Sequence, residues 1–206
     1  MTGNSARAPQ VGHPRAVSLV TFLAVSILLT ACGKKHIEWT EDLPLDDGGS
    51  ILIERSITFQ ETSSWAGDAS DSVETDARIR FTGALSALPE WRQPLMALAM
   101  YQDKVTKEWV IVASTTSCDV WRQRGKPKPS YWEFRLDHQA WREVKLSGTS
   151  VGRTSNLLFE NRRLEASHVT ADYKRRLQSP LTIARKYREI WGDPDMLTCG
   201  EGDSVE

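Results

Sequence analysis

The chain has 206 residues, 26 Lys and Arg against 27 Asp and Glu, and 40% apolar residues. Such a length suits one domain, or a small domain with an appendage. The balanced charge and the mean hydropathy of −0.41 exclude a disordered acidic chain, a polybasic nucleic-acid coat and a multi-span membrane protein.

The first segment departs from that average. Arg7 and Arg15 flank His13, and an uncharged run, LVTFLAVSILLTA, extends from Leu19 to Ala31. The run falls short of the roughly 20 residues that span a bilayer core as a helix. A basic start, a short apolar centre and small residues at its end predict a secretory signal peptide over residues 1–31. The end of that run, Leu29-Thr30-Ala31-Cys32, resembles the lipobox of bacterial lipoproteins. The resemblance implies a diacylglyceryl group on the Cys32 thiol, cleavage just before it, and a fatty acid such as palmitate on the new amino terminus. Two or more acyl chains anchor stably, at ~0.8 kcal/mol per buried CH₂. The alternative is an uncleaved signal anchor in which Cys32 is an incidental thiol. Gly33 stands where inner-membrane members of that family often carry Asp, which implies the periplasmic face of the outer membrane. Residues 32–35 are then a lipidated tether. Cleavage removes two arginines and no acid, leaving 24 basic against 27 acidic residues in a chain of 175.

Strands dominate the remainder of the chain. Ile37 and Trp39 alternate with Glu38 and Thr40, the period of a half-buried strand. Asp46-Asp47-Gly48-Gly49 is turn chemistry, and Ile51, Ile53, Ile57 and Phe59 then share one face, interrupted by Arg55. These runs predict a β-hairpin. Residues 61–76, polar and acidic, read as a loop, and Ile79 and Phe81 as a short strand. Pro89 and Pro94 bracket a break. Leu95–Tyr101 and Trp109–Ser114 predict a second hairpin, whose unbroken apolar run suggests a central strand. Beyond the loop Arg124–Pro129, a third hairpin runs through Trp132, Phe134 and Leu136, turns at Asp137–Ala140 and returns through Val144 and Leu146. Leu157–Phe159 is a candidate further strand. Ser179-Pro180 opens a predicted helix over 180–191, with Ile183, Tyr187, Ile190 and Trp191 as its apolar stripe and Gly192 as its stop. A further turn of helix is expected over Ala171–Leu177. The predicted fold is mainly β: an antiparallel meander of hairpins, as a sandwich or open barrel, over residues 36–160. A short C-terminal helical segment and tail occupy 161–206.

With Cys32 lipidated, Cys118 and Cys199 remain. In an oxidising compartment they predict a disulfide closing a loop of about 80 residues, worth about 4–5 kcal/mol by chain entropy. Two buried free thiols are the alternative, and a catalytic cysteine the remote one. Asp68, Asp71, Glu74 and Asp76 lack the spacing of an EF-hand, and like Asp42, Asp46 and Asp47 they read as solvated loop acids. Lys174-Arg175-Arg176, Arg185-Lys186-Arg188 and the loop Arg122–Lys128 could meet lipid phosphates or acidic polymers, or simply form charged outer faces. Trp39, Trp109 and Trp132 are assigned to the core; Trp65, in the polar loop, is the candidate binding tryptophan. His36, His138 and His168 have no partner at metal-ligand spacing, and no phosphate-cradling Gly loop occurs. No catalytic residue, metal site or cofactor is assigned.

Trp39-Thr40-Glu41-Asp42, the Tyr131–Arg135 strand with Trp141 and Val144, and Lys174-Arg175-Arg176 followed by Tyr187-Arg188-Glu189-Ile190 are similar to segments of small, functionally uncharacterised lipoproteins of proteobacteria. That resemblance implies localisation only. The expected role is a membrane-tethered periplasmic lipoprotein that binds an envelope protein or polymer or serves a structural role. The alternative is a periplasmic enzyme acting on cell-wall glycans or peptides. Intact mass of the exported native chain is expected to show loss of residues 1–31 and gain of acyl chains, and Cys32→Ser to abolish both.

Overall fold

The computed structural model describes residues 33–62, 71–159, 164, 166–178 and 185–192. The first strands form a five-stranded sheet in the order β4-β3-β2-β1-β9. Its members are β1 (Lys34–Pro44), β2 (Ser50–Thr62), β3 (Asp71–Phe81), β4 (Trp91–Gln93) and β9 (His168–Val169), with β9 parallel to β1 and the other pairs antiparallel. The β1–β2 turn is where the sequence places it. Gly49 N–H donates to Asp47 Oδ1 at 2.8 Å, and Gly48 takes φ +85°, which a side chain would resist.

A second, four-stranded antiparallel sheet has the order β5-β6-β7-β8. It comprises β5 (Met96–Gln102), β6 (Trp109–Ser114), β7 (Trp132–Asp137) and β8 (Ala140–Val144). His138 and Gln139, both at positive φ, form the two-residue turn between β7 and β8 that suits a right-twisted hairpin. Leu43, Ile53, Ile57, Phe59, Ile79 and Phe81 of the first sheet share one core with Met100, Ile111, Trp132 and Phe134 of the second. Trp91 meets Phe134 edge-on at 5.5 Å. The arrangement is sandwich-like, not a closed barrel.

The far face of the second sheet is covered as well. Met96, Leu98, Tyr101, Val110 and Val112 pack with Tyr131, Phe159 and Ile190. Burial on both sides is why β5 and β6 read as unbroken apolar runs rather than alternating ones. Yet β5 lies at the sheet's edge, not its centre. Its exposed backbone is closed by Asn156, which accepts from Met100 N–H at 2.9 Å and donates to its carbonyl at 2.7 Å, and by Leu157 N–H on Leu98 O at 3.1 Å. Residues Leu157–Phe159 are therefore buried coil, not the strand the sequence suggests. At the other edge β8 is largely exposed, carrying Arg142 and Glu143.

Other boundaries differ from expectation. Residues 71–76 extend β3 rather than lying in a loop, and β4 sits between Pro89 and Pro94. A helix the sequence reading lacks, α1 (Cys118–Gln123), is capped by Ser117, whose hydroxyl accepts from Val120 N–H. α2 (Ala171–Leu177) is capped by Thr170. Of the helix expected over 180–191, α3 (Arg185–Arg188) is described, and residues 180–184 lie outside the described residues. It stops short of Gly192 because Glu189 bridges to Thr154 and Ile190 N–H donates to Arg153 O at 2.9 Å. Ile190 is buried from extended backbone.

One carboxylate ties these parts together. Glu41, on the inward face of β1, is fully buried. It accepts from Trp39 Nε1 at 3.1 Å, Arg55 Nη1 at 3.0 Å, Leu158 N–H at 2.7 Å and Lys174 Nζ at 3.0 Å. Lys174 also donates to the carbonyls of Asp42 at 2.5 Å and Asn156 at 2.6 Å, so all three of its protons are used. Arg55 Nη1 reaches Leu158 O at 2.6 Å, and its guanidinium stacks 5.0 Å from the Trp39 ring. Lys174 is thus no part of a basic outer face: it is 4% exposed. Removing the anion would leave two buried cations facing each other. Glu41→Ala is expected to cost about 3–5 kcal/mol, read as a fall in the urea midpoint, and Glu41→Gln less.

Candidate functional site

A second buried acid, Glu133, sits on β7. The strand's alternation puts Trp132 and Phe134 on the inner core and Glu133 and Arg135 on the opposite side. There Glu133 is not solvated but closed over by the segment 147–150. It accepts from Arg135 Nε at 2.7 Å, from the amide and hydroxyl of Ser147 at 2.8 Å each, and from Ser150 Oγ at 2.6 Å. Tyr101 OH lies 2.6 Å from Ser150 Oγ; since Ser150 gives its proton to Glu133, Tyr101 donates. Arg135 also holds Glu108 at 3.1 Å and Asp103 at 3.3 Å. Arg153 stacks 3.5 Å from the Tyr101 ring centroid and grips both oxygens of Asp46.

Hydroxyl, carboxylate and guanidinium together suggest acyl-transfer or acid–base chemistry, but the electrostatics favour a brace. Burial by itself would raise Glu133, yet hydrogen bonds from Ser150, Ser147 and Arg135 outweigh it and hold the carboxyl below its ordinary range. The amides of Val105 and Thr106 lower Asp103. Glu41 and Asp76 likewise sit low, burial being outweighed by their cations. A general acid at neutral pH needs a raised carboxyl, and Glu133, the carboxyl beside Ser150, moves down instead. Ser150 is the centre of Gly148-Thr149-Ser150-Val151-Gly152, the Gly-x-Ser-x-Gly spacing of a hydrolase nucleophile. It sits in a turn rather than between strand and helix, is fully buried and gives its hydroxyl proton to Glu133, which closes it to a substrate.

The residues singled out from sequence are scattered. Cys32, Trp65, Asp68 and Cys199 lie outside the described residues. Cys118 begins α1, and Cys199, its expected partner, is among the residues that lie outside them. Glu74 is buried and accepts from Thr116 Oγ1 at 3.3 Å. Asp76 binds Arg78 and Arg92 at 2.8 and 2.6 Å, and Asp46 binds Arg153. Among the described residues no group of three His, Cys, Asp or Glu could hold a metal. His36 lies between Thr58 and Glu38, and His168 between Thr40 and Asp42. Trp39 and Trp132 are buried and Trp109 half-buried against the same core. In the basic clusters, Arg122 pairs with Asp119, Arg124 with Glu143 and Arg175 with Asp172.

What remains open is the outer face of the first sheet. Glu38 and Thr40 of β1, Glu54 of β2, Arg78 and Arg80 of β3 and Glu90 line a polar depression of about 340 Å³. Arg80, 64% exposed, spans Glu54 at 3.2 Å and Glu90 at 3.4 Å. Exposed pairs of this kind are worth about 0–1 kcal/mol, so a partner can exchange them cheaply. A second cavity, of about 580 Å³, lies between α2 and residues 154–156, but the ammonium of Lys174 beside it is already spent. Among the described residues the large apolar side chains at the surface include Leu52, Val105 and Val151. No family model matches the chain, and neither curated proteins nor solved structures yield a match.

Because Glu41 and Glu133 titrate below their unfolded value of 4.5, each stabilises the fold fully above that pH. That stability is lost as pH falls through the folded values. Stability is expected to be flat from pH 7 to about 5 and to fall steeply below about 4.5, with a shallower fall in Glu133→Gln, as followed by urea midpoints across pH.

Proposed function

We propose that this chain is a lipid-anchored protein of the bacterial cell envelope, held on the periplasmic face of the outer membrane through Cys32, that binds an envelope protein or polymer. The observation that carries the reading is the Leu29-Thr30-Ala31-Cys32 segment placed directly behind a short apolar run with a basic start. With Cys32 acylated, Cys118 and Cys199 are the pair left to form a disulfide, a bond that persists in oxidising compartments. The binding role rests on the mixed-charge depression of the first sheet, where the half-buried Arg78 and the exposed Arg80 alternate with Glu38, Glu54 and Glu90. The partner that suits this face is polar and charged. The burial of Ser150 and its commitment to Glu133 favour binding over glycan or peptide hydrolysis.

Cys32→Ser is expected to move the protein out of the membrane fraction. In a pull-down from detergent-solubilised envelopes, Arg80→Gln with Glu54→Gln, which removes an exposed pair worth about 0–1 kcal/mol, is expected to lose captured partner severalfold with little change in melting temperature. Retention of Cys32→Ser in membranes overturns the anchor, and undiminished capture by the double variant overturns the proposed face.

A further inference from the structure

The fold begins almost at the anchor. β1 starts at Lys34, and its ladder with β2 is in register from the Lys34–Gln60 pair onward. Only Gly33 separates that pair from Cys32. Lys34 and Lys35, read from sequence as part of a tether, are strand residues. The two peptide units between Cys32 and Lys34 reach roughly 7 Å, where a flexible linker of 20 residues would reach ~25 Å.

Resting on the reading that Cys32 is acylated, we infer that the Lys34 end of the first sheet is seated on the bilayer surface itself. The lipid headgroup layer is thus the first partner of this domain. Lys34 and Lys35, both exposed, bring their ammonium groups to the depth of the lipid phosphates, where each is worth ~1 kcal/mol on an anionic surface. The register carries other residues to the same level. Thr58 pairs with His36 and Asp76 with Thr58, so the exposed Thr75 lies near the membrane although 43 residues from Cys32 in sequence. The opposite end is distant. β1 has 11 residues, and at ~3.3 Å per residue the Asp46–Gly49 turn stands up to ~36 Å from the first pair. The polar depression around Thr40 and Arg80 lies between, on a face rising from the membrane. A partner must therefore come alongside, in or on the same bilayer.

The test uses the full lipidated protein in vesicles of phosphatidylethanolamine and phosphatidylglycerol doped with a headgroup nitroxide lipid. A fluorophore is placed at Thr75→Cys or, as the far-end control, at Asp47→Cys. A ketone-bearing residue at the same positions serves if an added thiol disturbs the native disulfide. Quenching is expected to be severalfold stronger at 75 than at 47, and to be lost at 75 when about 20 Gly/Ser residues are inserted between Gly33 and Lys34. Equal quenching at the two positions, or quenching at 75 that survives the insertion, overturns the tether-imposed seat. Intact mass of the same sample separates the failures. Lipid on Cys32 with equal quenching refutes the seat alone, and an unacylated Cys32 refutes the anchoring reading and the seat with it.

Discussion

A carboxylate that cannot be solvated decides how this chain closes. Glu41 lies where a β-sandwich core normally holds an aliphatic side chain, and Arg55 on the neighbouring strand faces the same way. Neither is tolerable alone in the interior. Satisfying both demands donors and acceptors from elsewhere: the main chain of Leu158, the indole of Trp39 and the ammonium of Lys174. The C-terminal part of the chain is thus required by the first hairpin. Two cations against one anion leave a surplus positive charge, and the carbonyls of Asp42, Asn156 and Leu158 absorb it. Such a cluster adds little net stability compared with a packed apolar core, but it admits only one way of docking α2 and the 156–158 segment.

The hairpins were legible in the sequence because their information is local. Alternation marks β1 and β2, Gly48 marks the turn, and an apolar run marks β5 and β6. What escaped was set by distance along the chain. Glu41 and Lys174 are 133 residues apart, and Lys174 sits within Lys-Arg-Arg, where composition argues for solvent. Arg55 was visible as an interruption of an apolar face, and that interruption was the available clue to a buried charge. Glu133 looked like the polar half of an alternating strand, because period two says which face a residue takes but not whether a third layer covers that face. α1 carried a signal that went unused: Ser117 as N-cap with Asp119 in the first turn. The predicted C-terminal helix failed at its end because Ile190 satisfies burial equally well in extended backbone once residues 152–155 supply its hydrogen bonds.

The site was less legible than the fold. The proposed anchor rests on a short linear segment, whereas the polar depression is assembled from three strands and the Glu90 loop. Its members, Glu38, Glu54, Arg78 and Arg80, are unremarkable as single letters on the solvent faces of strands. They become a surface only when the register sets them side by side. The Glu133 lattice shows the converse: residue types familiar from catalysis, gathered in one place, act as scaffold when the carboxylate and the serine hydroxyl are buried and committed to each other.

The open flank at β8 bears on how copies behave near one another. A free strand edge invites addition of a neighbour's strand, and confinement to a surface multiplies the opportunities for it. Arg142 and Glu143 on that flank, with Lys145 just beyond, make such zipping costly, while Asn156 has already stoppered the opposite flank at β5. On the proposed membrane anchor, these two guarded flanks would disfavour edge-to-edge zipping between crowded copies.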